Sequence, residues 1–102
     1  MRIKGKELAP GVDLTGADLR RTDLRGADLS GAIMVRATLT EANLQDVDLT
    51  GAQLAGANLD RADLRGAQLS GANLDRADLQ KATFVGADLA AAHFHMAEMN
   101  GV

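Results

Sequence analysis

Large apolar residues recur at every fifth position for most of this chain. In GANLDRADLRGAQLSGANLDRADLQ, residues 56–80, leucine occupies 59, 64, 69, 74 and 79, with alanine two residues before each. Neither regular element explains that spacing. A helix advances about 100° per residue, so a step of five would carry the leucines around its surface instead of along one stripe. A strand alternates faces, so an odd step would put successive leucines on opposite sides. A short extended piece followed by a corner does explain it. Alanine and leucine two apart point to the same side of an extended piece. A bend of about 90° after each piece would turn the next pair inward again, and stacked turns of the coil would pair like strands.

The same unit runs without insertion from Val12 to Gly101. Successive fives read VDLTG, ADLRR, TDLRG, ADLSG, AIMVR, ATLTE, ANLQD, VDLTG, AQLAG, ANLDR, ADLRG, AQLSG, ANLDR, ADLQK, ATFVG, ADLAA, AHFHM and AEMNG. The third position is always Leu, Met or Phe, and the first is Ala, Val or Thr. Glycine falls at the fifth position, where a corner would use its freedom at positive φ. Nothing marks a linker. Residues 1–11 are expected to form a lead-in or cap, and residues 12–101 the repeat.

This tandem A-(D/N)-L-x-x pattern resembles the pentapeptide-repeat family. The resemblance implies an all-β fold, a right-handed quadrilateral β-helix with four units per coil, here about 4.5 coils and ~22 Å long. It also implies that units twenty residues apart share a face. Face 1 then centres on Leu14, Met34, Leu54, Leu74 and Phe94; face 2 on Leu19, Leu39, Leu59, Leu79 and Met99; face 3 on Leu24, Leu44, Leu64 and Phe84; face 4 on Leu29, Leu49, Leu69 and Leu89.

Charge refines the picture. The 102 residues carry a net charge of −3 and no cysteine. That balance does not suggest direct nucleic-acid binding, and no thiolate site or disulfide framework is available. No segment approaches the ~18 apolar residues of a membrane span, and the start has no signal-peptide pattern, so a cytoplasmic protein is expected. On face 4, Asp28, Asp48 and Asp88 form an acidic strip without a basic residue. Faces 2 and 3 mix Arg20, Arg21, Arg25, Arg61, Arg65 and Lys81 with carboxylates, a pattern of solvated ion pairs. Ile33 and Val35 should point outward from face 1 as a small apolar contact patch.

Catalytic signatures are missing: there is no nucleophile elbow and no phosphate loop. Carboxylates decorating a convex rod lack the pocket that separates the pKa values of a catalytic pair. An enzyme is therefore not expected, nor a cofactor. The weak metal candidate is His93 and His95, two apart on one strand, with Asp75 one coil below His95. The end of the chain is apolar. Phe94, Met96, Met99 and Val102 predict a two-fold dimer through the C-terminal coil.

Two functions fit. One is a non-catalytic scaffold or protein-interaction module of unknown partner. The other follows from the resemblance, because some family members mimic DNA and bind type II topoisomerases such as gyrase, protecting them from quinolones. The face 4 strip suits that mimicry. The overall charge suits it less, because duplex DNA carries one charge every ~1.7 Å.

Overall fold

The computed structural model describes residues 2–3 and 5–102. Parallel bridges join residues twenty apart on all four sides. Examples are Asp13 to Ile33, Asp18 to Thr38, Asp23 to Asn43 and Asp28 to Asp48, and the ladders continue to Asn73–His93 and Asp78–Glu98. The chain is thus a stack of square coils with four units per turn, as the twenty-residue stepping requires.

Each corner is a β-turn that spans two units. The amide of Ala17 donates to the Leu14 carbonyl at 3.0 Å, and the same bond recurs from Ala32 to Leu29 and from Ala52 to Leu49. The residue before the donor has positive φ at every fifth position from Gly11 to Gly101, while the one before that does not. This is the signature of a type II turn. Nine of these corners are not glycine: Arg21, Arg36, Glu41, Asp46, Arg61, Arg76, Lys81, Ala91 and Met96 lie between 56° and 60°. None is β-branched, the class for which this conformation is most unfavourable.

Inside, the third-position residues from Leu14 to Leu79 are buried, and so are the first-position residues from Ala32 to Ala82. The core is one continuous column of leucine, methionine and alanine, with Val47 among them. It contains no buried polar or charged residue among those described.

The coil begins earlier than the sequence pattern suggests. Pro10 and Gly11 already form a corner: the Val12 amide donates to the Ala9 carbonyl at 3.1 Å, and the Gly11 amide to Ser30 at 2.9 Å. Proline supplies the φ that the second turn residue needs, and glycine the positive φ of the third. The lack of a large apolar residue at position 9 hides this unit in the sequence. Before it, β1 (Arg2–Ile3) pairs antiparallel with β2 (Lys6–Glu7). Ile3 and Leu8 pack against the first coil, and the Lys6 ammonium donates to the Asp13 carbonyl. The overall extents are 33 × 22 × 20 Å.

Candidate functional site

The solenoid's outer surface is built from what the backbone leaves unsatisfied. Within a coil, the first-position amide closes the turn. The second-position amide donates to the coil before, as Ile33 does to Val12 at 2.9 Å. The third and fifth donate to the coil after: Leu14 to Ile33 at 2.6 Å, and Gly16 to Val35 at 2.9 Å. Only the fourth-position amide lacks a backbone partner. The Asp or Asn two residues earlier supplies one. Asp13 accepts from Thr15, Asp28 from Ser30, Asp48 from Thr50, Asn58 from Asp60, Asn73 from Asp75 and Asp88 from Ala90, at 2.9 to 3.1 Å. Where the second position is Asp or Asn, its side-chain oxygen is thus a cap on the corner and completes the hydrogen-bond accounting of that unit.

This assigns a structural task to the acidic strip. Asp28, Asp48 and Asp88 share face 4 with Gln68 between them, and the bridges from Asp28 to Asp48 and onward place them in one column. Each carboxylate also holds its own corner. Asp28 takes the Ser30 hydroxyl as well, at 2.7 Å, and those two bonds hold its pKa below the ordinary carboxylate value.

The mixed faces are locally neutralised. Arg25 forks onto Asp23 and Arg65 onto Asp63, at 3.0 and 2.7 Å. In each pair the arginine's side-chain hydrogen bond is the main cause of the carboxylate's lowered pKa. Arg20 binds Asp18 at 2.8 Å, and Arg21 reaches Glu41 in the next coil at 3.4 Å.

Ile33 and Val35 are half-buried instead of fully outward. Val35 forms the shoulder of a groove on the corner after face 1, together with Arg36, Ala55, Gly56 and Arg76. Sequence reasoning missed this groove. The available signal was that Arg36 and Arg76 are both fifth-position residues forty apart, hence on one corner.

The proposed metal set does not assemble. Asp75 lies one coil below His95, but its Oδ1 accepts the His95 backbone amide at 2.9 Å. Among the described residues no three His, Asp or Glu side chains come together as metal ligands. His93, a second-position residue, cannot cap the corner as an Asp does, so Asp75 of the coil before takes over that amide.

The last coil is the open end of the core. Phe84, Leu89 and Phe94 are only partly buried there, packed against the core from the coil before. All the exposed large hydrophobic residues among those described lie in this stretch: Val85 at 73%, Met96 at 67%, Met99 at 40% and Val102 at 52%.

The family model for pentapeptide repeats matches in eight copies over residues 11–46, 32–71, 42–80 and 67–102. The chain belongs to the pentapeptide repeat family. A pentapeptide repeat protein from the thylakoid lumen of Arabidopsis thaliana is 34% identical with a TM-score of 0.82, over 85% of this chain and 61% of that one. The pentapeptide repeat protein Rfr23 of the cyanobacterium Cyanothece 51142 is 40% identical with a TM-score of 0.69, over 82% of this chain and 60% of its own. A third, from Nostoc PCC 7120, is 28% identical with a TM-score of 0.58, over 85% and 84% of the two chains. The chain therefore spans about three fifths of the length of the first two. No curated protein sequence matches it. The fold is the right-handed quadrilateral β-helix of pentapeptide repeat proteins, a structural repeat fold that is not typically catalytic.

Proposed function

We propose that this pentapeptide repeat chain is a non-catalytic scaffold that associates with other proteins through its last coil, and that a second copy is one such partner. The observation that carries this is that, among the described residues, the exposed large hydrophobics all lie within residues 85–102, in the last coil. Buried apolar area is the main driving force of association. Unpaired strand edges add a second one. The amides of Phe84, Leu89 and Phe94 donate to no backbone carbonyl among the described residues, so a facing copy can satisfy them.

The size of the end sets the expected strength. The two shorter extents, 22 and 20 Å, bound the area at about 440 Å² per copy. Both sides together fall below the ~1,200 Å² of stable interfaces, so the dimer is weak and reversible. Light scattering over a broad concentration range should show mass rising from monomer toward dimer. Met99→Asp should hold it at monomer without unfolding the coil. A constant monomer mass for the unaltered chain would overturn this contact.

A duplex-like surface that binds gyrase has weaker support. Only face 4 is uniformly acidic, and its three carboxylates also serve as corner caps. Gyrase supercoiling in a titration of the pure protein, with and without a quinolone, tests it. Inhibition or protection that disappears in the Asp28, Asp48, Asp88→Asn triple variant would favour mimicry over the scaffold.

A further inference from the structure

Six of the chain's eight arginines have a carboxylate partner: Arg2, Arg20, Arg21, Arg25, Arg61 and Arg65. The two that have none among the described residues, Arg36 and Arg76, stand on the same corner, two coils apart. Between them lies a groove of about 320 Å³. Its floor is small, because the intervening unit presents Ala55 and Gly56. Glycine matters here for space. A Cβ on Gly56 would sit 3.5 Å from Cγ of Arg36, so the Arg36 stem lies over that glycine along the groove. Asp75 also lines the groove, but one of its oxygens is already taken by the His95 amide.

We propose that this groove binds an acidic segment of a partner protein, one carboxylate to each arginine. The inference rests on the reading of the chain as a protein-interaction scaffold. An unpaired guanidinium presents a planar fork of donors suited to carboxylate. Two of them at a spacing of two coils are separated by roughly 9.6 Å along the axis. An extended polyproline II segment rises ~3.1 Å per residue and has three residues per turn, so acids three apart lie on one side about 9.3 Å from each other. The match selects a ligand class: an extended segment with acidic residues at i and i+3. Val35 and Ala55 provide an apolar surface for the residues between.

The corner conformation supplies clean variants. Arg36 and Arg76 have φ of 59° and 60°, so Arg36→Gly and Arg76→Gly remove the charge and suit the backbone. Lys81→Gly, at φ 60° on the next corner, removes the same charge elsewhere. The probe is a fluorescein-labelled peptide of three Pro-Pro-Glu repeats, with its Pro-Pro-Gln counterpart as control, read by anisotropy at low ionic strength. We expect saturable binding of the glutamate peptide and weaker binding of the glutamine one. Each arginine variant should lose affinity about threefold and the double variant about tenfold, as befits solvent-exposed pairs. Lys81→Gly should change little. Failure of the glutamate peptide to saturate overturns the proposal. So does equal binding of the glutamine peptide, or equal loss in Lys81→Gly, which would signal diffuse charge. Displacement by inorganic phosphate beyond that of chloride at matched ionic strength would assign the groove to small oxyanions instead. Dimerisation measured on the same samples reports separately on the last coil, so a failure here does not carry over to it.

Discussion

In the units with Asp or Asn at the second position, a single side-chain oxygen decides whether a corner is complete. Asn58 shows this most simply, because it is uncharged and half-buried: it accepts from the Asp60 amide at 2.9 Å. Asn58→Ala should cost about 1 kcal/mol in urea denaturation, the usual net worth of one such bond. Asn58→Asp should cost little, since the acceptor survives. At four of the carboxylate caps the bond is also a pH device. Asp13, Asp23, Asp28 and Asp63 have pKa values below the ordinary one in the folded chain. Their contribution is therefore present above the unfolded value of about 3.9 and is lost as pH falls through the folded values. Melting temperature should be flat above about pH 5 and drop in acid. Asp63→Asn should flatten that drop, because an amide still caps Arg65 but no longer titrates. The corner residue itself makes an opposite demand. Gly31 has φ of 66° and open space around a would-be Cβ, so Gly31→Ala isolates the backbone cost at ~1 kcal/mol. Arg36→Gly should raise stability by about 0.5 kcal/mol, since relief of positive φ outweighs the added chain entropy.

At the scale of one coil, stability follows from neighbours on both sides. Leu64 is fully buried between the coils before and after it. Leu64→Ala should cost ~2–5 kcal/mol, mostly through a cavity in a column too rigid to collapse. Leu89 is the same residue type on the last coil, covered from one side only. Leu89→Ala should cost about half as much, and the difference between the two melts measures what a covering coil contributes. At the other end the hairpin of β1 and β2 covers the first coil with Ile3 and Leu8, and the two ends of the column are therefore unlike. Amide exchange should be fastest in the last coil, where packing is thinnest.

Seen whole, the molecule is a rod whose sides differ in chemistry but share one backbone. Ion pairs within a unit make faces 2 and 3 nearly neutral, the carboxylate column makes face 4 acidic, and the corner after face 1 carries two unpaired guanidiniums. These surfaces lie on different sides of a fixed frame, so partners could be engaged side by side without a change of shape. A salt titration separates them. Contacts through the acidic strip or the arginine groove should weaken between 50 and about 500 mM salt as the screening length contracts, whereas association through the last coil should hold. Sedimentation or scattering at both salt levels checks this.

The one-dimensional pattern determines that the chain turns a corner every five residues. A step of five excludes helix and strand, alanine and leucine two apart define the inward pair, and the polar remainder defines the outside. The bridges between residues twenty apart bear out the four faces that the family resemblance implies. The task of the second-position Asp was not legible, because a residue frequent on a soluble surface looks the same whether it caps an amide or faces water. The Pro10–Gly11 corner was hidden because its unit lacks the large third residue that marks the others. The histidine pair looked like ligands by spacing, yet only the coil below decides what Asp75 touches. Likewise, the pairing of six arginines and the solitude of two depends on which carboxylates the stacking brings within reach. Periodicity is a local property of the chain and sets the frame. Side-chain partnership across coils is a property of distance in space, and only the folded stack decides it.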